Sequence, residues 1–177
     1  MTRLHSQPVS DATGPLAELF TKIKAGAGRV PRAYVDIGSN SPLALEAALT
    51  LDAAVRRASL SPRESEIVKL AVSEIAGCDY CVAAHTLFGK KVGLSEFEMT
   101  AIRHGQPSGD EQIDALAAFA RTLVTTRGTV PEEVVRTAQA HLSDSQIVDI
   151  LLVITSITFA NLFNRVNDTE LDFPRVS

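Results

Sequence analysis

Apolar residues recur along this chain at intervals of three and four, and no stretch keeps the strict alternation of a half-buried strand, so the pattern predicts helices throughout. Leu16–Ala25 predicts a first amphipathic helix after Gly14-Pro15, followed by irregular chain through Gly26-Ala27-Gly28 and Val30-Pro31. The next helix starts at Ser41-Pro42, with the serine as cap and the proline in the first helical position, and runs to about Ala58. Ser61-Pro62-Arg63-Glu64 is a stronger start, because Ser and Glu three apart can each satisfy an exposed amide of the other. The helix it opens runs from Pro62 to about Ile75, and Ala76-Gly77 ends it.

A further helix is predicted from Cys78 or Asp79 to Lys91, stopping at Gly93; a second capping box, Ser95 with Glu98, opens one that reaches His104-Gly105. Asp110–Arg127 closes at Gly128, Pro131–Ala140 is short, and Ser143 with Gln146 starts a long apolar helix to about Val166. That last helix reads as a buried core helix, since Asp149 and Asn161 interrupt its apolar run and the run is shorter than the roughly 20 residues that span a bilayer. The tail from Asn167 is expected to be irregular. With no internal repeat and no long linker, the expectation is a single all-α domain over residues 1–177.

Composition narrows the function classes. A formal charge of -4 with scattered Lys and Arg gives no basic patch for nucleic acid. The start, Met1–Gly14, lacks the apolar run of a signal peptide, which predicts a cytoplasmic protein with no membrane partner. In a reducing compartment two cysteines are poor candidates for a permanent staple, so a close pair points first to catalysis or metal binding.

The pair is Cys78-Asp79-Tyr80-Cys81, with His85 four residues on. Two cysteines placed at random in such a chain fall three apart about once in a hundred times. On a helix the spacing places Cys78, Cys81 and His85 on one face. A thiolate is the nucleophile toward peroxides and disulfides, and a helix N-terminus or a nearby imidazolium favours it. Cys81, one turn before His85, is the better placed for base assistance, so Cys81 is assigned as attacking thiol and Cys78 as resolving partner, although Cys78 sits closer to the helix start and its dipole. A zinc site is disfavoured because four ligands are needed and His5, His104 and His141 supply no second pair. A structural buried pair remains a simple alternative. The absence of a Gly-rich phosphate loop and of Cys-x-x-Cys-His argues for no bound cofactor.

Glu66, Cys78, Cys81 and His85, with Ile67-Val68 and Val82-Ala83-Ala84 between them, resemble the core signature of the alkylhydroperoxidase AhpD-like proteins of the carboxymuconolactone decarboxylase superfamily. The resemblance covers roughly Ser61–Gly105, and Asn161–Val166 is similar to the C-terminal part of the peroxidase-related branch. It implies an AhpD-like helical bundle that assembles as a homo-oligomer, a trimer or multiple of three, or a dimer. It also implies reduction of alkyl hydroperoxides through the two cysteines, with an external dithiol, of the lipoyl kind, restoring them. Glu66 and His85 would relay protons. One position departs: Tyr80 stands where characterised peroxidases of the family carry histidine, and a phenol titrating near 10 does not shuttle protons at neutral pH. Tyr80 is therefore either a site residue acting through its hydroxyl or a packing residue. Two other functions use the same residues: a disulfide reductase or exchange protein, and a non-catalytic redox-sensing module.

Overall fold

The computed structural model describes residues 2–176, and within them every regular element is helical. The nine α-helices are α1 (Gly14–Ala27), α2 (Arg32–Asn40), α3 (Pro42–Val55), α4 (Pro62–Ile75), α5 (Asp79–Lys91), α6 (Glu96–His104), α7 (Glu111–Thr125), α8 (Glu132–Gln139) and α9 (Asp144–Asn167). The capping boxes read from the sequence form at α4, α6 and α9, and Ser41 caps α3 through the Ala44 amide. At α4 the Ser61 hydroxyl accepts from Glu64 N–H at 3.2 Å while the Glu64 carboxylate accepts from Ser61 N–H at 2.7 Å. Ser61→Ala is expected to lower unfolding free energy by about 1 kcal/mol, read as a shift in the urea midpoint with unchanged slope.

Helix α4 is the hub. It packs against α5, α6, α7 and α9, and Val68, Leu70 and Ala71 are fully buried. A second, smaller apolar cluster joins α1 to α2 and α3 through Leu16, Phe20, Ile23, Ile37 and Leu45. The site lies where the two clusters meet, because α5 leaves the hub beneath this N-terminal layer.

Three expectations change. Helix α1 continues through Gly26-Ala27, which the sequence reading left irregular, and ends at Gly28 with φ of 76°, the left-handed conformation glycine adopts freely. Helix α2 is new: it is only nine residues long, no side chain caps its start, it ends in Gly-Ser-Asn, and it buries Asp36 from its polar face along with Ala33, Val35 and Ile37. Packing forms it, and Gly38 permits that packing, since a Cβ there would sit 2.6 Å from Leu16 Cδ1.

Helix α9 is only half a core helix. It buries Ile150, Val153 and Ile157 against the hub, while Val148, Leu151, Phe159, Leu162 and Val166 are exposed on another face. Its length and composition would suit a membrane span, yet it lies among α3, α4, α5 and α8 and buries Asn161, Asn164 and Asn167. Those asparagines are held: Asn167 Nδ2 donates to the fully buried Asp36 at 2.8 Å, and Ser73 Oγ donates to Asn161 Oδ1 at 3.2 Å.

Candidate active site

Between α4 and α5 the chain reverses at Gly77, whose φ of 61° would strain any other residue type. The Arg165 guanidinium of α9 donates to the Ala76 carbonyl and pins this turn. Cys78 is then the N-cap of α5, and its sulfur takes the place usually held by a serine or aspartate oxygen, accepting from Cys81 N–H at 3.3 Å. The two Sγ atoms stand 2.7 Å apart, unbonded, and both thiols are buried.

The pair is electrostatically unequal. The hydrogen bond between the two sulfurs, together with the Cys81 amide and the charge of Arg165, holds the Cys78 thiol below its ordinary range despite burial and Asp79. The same sulfur–sulfur bond, burial and the electrostatic influence of Cys78 push Cys81 up, and Asn164 opposes them.

Glu66 and His85 come together although they lie on different helices. Glu66, buried on α4, places Oε2 2.7 Å from His85 Nδ1 and Oε1 3.0 Å from Lys69 Nζ. Burial alone would raise the Glu66 carboxyl, but the charges and hydrogen bonds of His85 and Lys69 outweigh it and bring its pKa down to about 2. The carboxylate fixes the imidazole through Nδ1, and Nε2 has no protein partner among the described residues. No hydrogen bond joins His85 to Cys81 among those residues; the two side chains share a cavity instead.

That cavity is about 810 Å³, within the size range of small-molecule pockets, and mostly apolar. Cys81 and His85 line one part of it, and α1, α2, α3, α9 and Phe173 supply much of the remaining wall. Cys78 is absent from this lining, so Cys81 is the sulfur presented to the cavity. Tyr80 lines the cavity too, but its hydroxyl accepts from Ala33 N–H at 3.2 Å, and its ring meets the Phe173 ring edge-on at 5.3 Å. Burial and Asp172 raise its phenol well above the usual value against the opposing Ala33 bond, which leaves it a neutral anchor tying α5 to α2 and the tail.

Three contributors escaped the sequence reading. Asn164 Nδ2 donates to Cys81 Sγ at 3.4 Å, while its Oδ1 is buried without a partner. Tyr34 of α2 lines the cavity and donates to Asp52 at 2.8 Å, an acceptor shared with Ser156. Phe173 lies in the irregular tail, where Asp172 accepts from Arg32 N–H at 2.9 Å. Only the resemblance at Asn161–Val166 gave any signal, and it marked the segment without marking a role. Among the described residues no group of three or more His, Cys, Asp or Glu side chains is arranged to hold a metal ion.

In a Cys78→Ser background, Asn164→Leu is expected to raise the Cys81 thiol pKa by about one unit, because a hydrogen bond to a charged acceptor is worth roughly 1.5–3 kcal/mol, part of it regained by water. The pH profile of iodoacetamide alkylation reads the shift directly.

The carboxymuconolactone decarboxylase family model matches residues 42–122. That span holds Glu66, Cys78, Tyr80, Cys81 and His85 and leaves out Tyr34, Asn164 and Phe173. An uncharacterized peroxidase-related protein with an AhpD core from Ralstonia eutropha superposes with a TM-score of 0.85 over 97% of this chain and 92% of its own, at 16% identity. A protein of unknown function from Agrobacterium tumefaciens, suggested to be an AhpD protein of antioxidant defence, is 27% identical with a TM-score of 0.73, covering 80% of this chain and 99% of its own. A cysteine-to-alanine variant of the debrominase Bmp8, solved in complex with 2,3,4-tribromopyrrole, aligns over 97% of this chain and 92% of its own with a TM-score of 0.78 and 19% identity.

Proposed function

The chain belongs to the AhpD-like, carboxymuconolactone decarboxylase superfamily, and from that premise we propose that it is a thiol peroxidase reducing organic hydroperoxides through a Cys78–Cys81 dithiol/disulfide cycle. The observation that carries the reading is the cysteine pair 2.7 Å apart, with Cys81 sharing an apolar cavity with a carboxylate-fixed imidazole.

Moving the shared proton from Cys81 to Cys78 makes the cavity sulfur the nucleophile, and Asn164 Nδ2 then donates to a thiolate. The Cys81 thiolate attacks the terminal peroxide oxygen, the O–O bond breaks, and the alkoxide takes a proton from the His85 imidazolium to leave as an alcohol. Cys78 then attacks the Cys81 sulfenic acid, forming the disulfide and releasing water. An external dithiol of the lipoyl kind restores the pair by exchange. Glu66 holds His85 in place through Nδ1, while Tyr80 acts as an anchor.

Consumption of cumene hydroperoxide with dihydrolipoamide tests the reading. Turnover that depends on Cys81 supports it, and a rate equal to that without protein overturns it.

The fold likeness to a debrominase, together with Tyr34, Phe88 and Phe173 in the cavity wall, favours a second reading, reductive dehalogenation of a halogenated aromatic. Its balance also ends in the disulfide: two thiols and an aryl bromide give an arene, bromide and a proton. Bromide release from a brominated pyrrole without peroxide turnover would select it.

Homo-oligomerisation is part of the proposal. Val148, Leu151, Thr155, Phe159, Leu162 and Val166 lie three or four residues apart along one exposed stripe of α9, the spacing of a seam between helices, and a second copy presents the same stripe. Light scattering that returned the monomer mass would refute this part.

A further inference from the structure

The cavity wall carries charge that the reaction above does not use. Lys22, Arg56 and Arg57 line it, are exposed, and make no ion pair or side-chain hydrogen bond among the described residues. Glu46 is the single carboxylate of that wall, so the cavity is cationic in a chain whose formal charge is -4. Arg165 is engaged on Ala76, Arg103 on Glu74 and Arg63 on Glu98, whereas Arg56 and Arg57 keep their guanidinium donors free for a ligand in this cavity.

Arg56 is the most informatively placed. It lines both the 810 Å³ cavity and an adjoining one of about 490 Å³, which also share Tyr34, His85 and Phe88. Its charge is felt by Tyr34, whose hydroxyl is bound to Asp52, so the guanidinium stands where the apolar space meets a fixed polar network. The same cavity that these cations and Cys81 line is walled also by apolar side chains such as Leu49, Ala53 and Ile157.

Resting on the peroxidase reading, we propose that the substrate is amphipathic: a bulky apolar hydroperoxide bearing a carboxylate, with the peroxide at Cys81 and the acid held by Arg56 and its neighbour Arg57. A planar guanidinium receives a carboxylate through two parallel hydrogen bonds, and the apolar wall desolvates the body of the molecule. A volume of 810 Å³ exceeds what a small alkyl hydroperoxide fills and suits a long acyl chain.

The test compares linoleic acid hydroperoxide with its methyl ester, each below its aggregation limit, on the wild-type chain and on the Arg56→Gln, Arg57→Gln double variant. The expected result is a kcat/KM about tenfold higher for the acid, as one charge-assisted contact of about 1.4 kcal/mol gives. That ratio should fall toward one in the double variant and shrink as salt is raised. Equal rates for acid and ester, or a preference that survives the double variant, overturn the proposal.

Binding of oleate and methyl oleate to the Cys81→Ser protein, followed by displacement of a fluorescent fatty acid, separates this claim from the chemistry. Oleate binding that is weakened in the added double variant supports the anion site even if no hydroperoxide is turned over. Absence of any oleate preference overturns it even if cumene hydroperoxide is reduced.

Discussion

Cys81→Ser is expected to reduce hydroperoxide turnover by about a thousandfold or more, to the rate seen without protein, because it removes the one sulfur that lines the cavity. Cys78→Ser is expected to stop steady-state turnover as completely but to fail at a different step. Serine is a good N-cap and its oxygen can accept from the Cys81 amide as sulfur does, so α5 keeps its start. The variant retains a nucleophile and lacks a resolving thiol. One equivalent of hydroperoxide should therefore leave Cys81 as a sulfenic acid, trapped by dimedone and seen by mass spectrometry, whereas Cys81→Ser should give no adduct. The electrostatics make this a demanding test, since the surroundings lower the Cys78 thiol and raise that of Cys81. Sulfenic acid found in Cys81→Ser and absent from Cys78→Ser would reverse the order of attack and give the buried N-cap sulfur the leading role.

The parts of this site that were legible in the sequence are local ones. Cys78 and Cys81 share a single turn, so spacing and the glycine before them place both sulfurs, and the capping boxes at Ser61, Ser95 and Ser143 fix three helix starts with residues three apart. The Glu66–His85 pair joins two helices across 19 positions, and only the family resemblance suggested it. Asn164 was opaque because its partner lies 83 positions away and an asparagine in a long apolar helix reads as an interruption. Helix α2, and Tyr34 with it, was missed for a related reason. It is short and has no side-chain cap, Gly38 reads as a breaker, and its polar face is held by burial of Asp36 against Arg32 and Asn167, contacts that no local pattern marks. The exposed face of α9 was misread in the other direction, since an apolar run carries no mark of which residues meet the core and which meet solvent.

Glu66→Gln carries the second large effect and separates stability from chemistry. The folded carboxyl titrates at about 2, below the 4.5 of an unperturbed glutamate, so its ionised form stabilises the fold. That contribution is fully present above about pH 4.5 and is lost as pH falls through 4.5 toward 2. A depression of this size corresponds to about 3 kcal/mol, and the side chain is only 10% exposed, so solvent screens it little. Glutamine cannot ionise. The variant is therefore expected to unfold with about 3 kcal/mol less free energy in urea near pH 6, and the gap to wild type should narrow to about 1 kcal/mol as both are taken toward pH 2.5, because glutamate is by then neutral in the unfolded chain and begins to protonate in the folded one. Curves that stay parallel over that interval would show that the pair does not stabilise the fold through Glu66 ionisation. At a pH where both proteins are folded, peroxide turnover should also fall, by about a hundredfold, because an imidazole without its carboxylate partner loses the hydrogen bond that orients it toward the cavity. A variant that lost stability and kept its rate would leave Glu66 as a structural ion-pair partner for Lys69 and His85 and would move proton delivery to another group in the cavity.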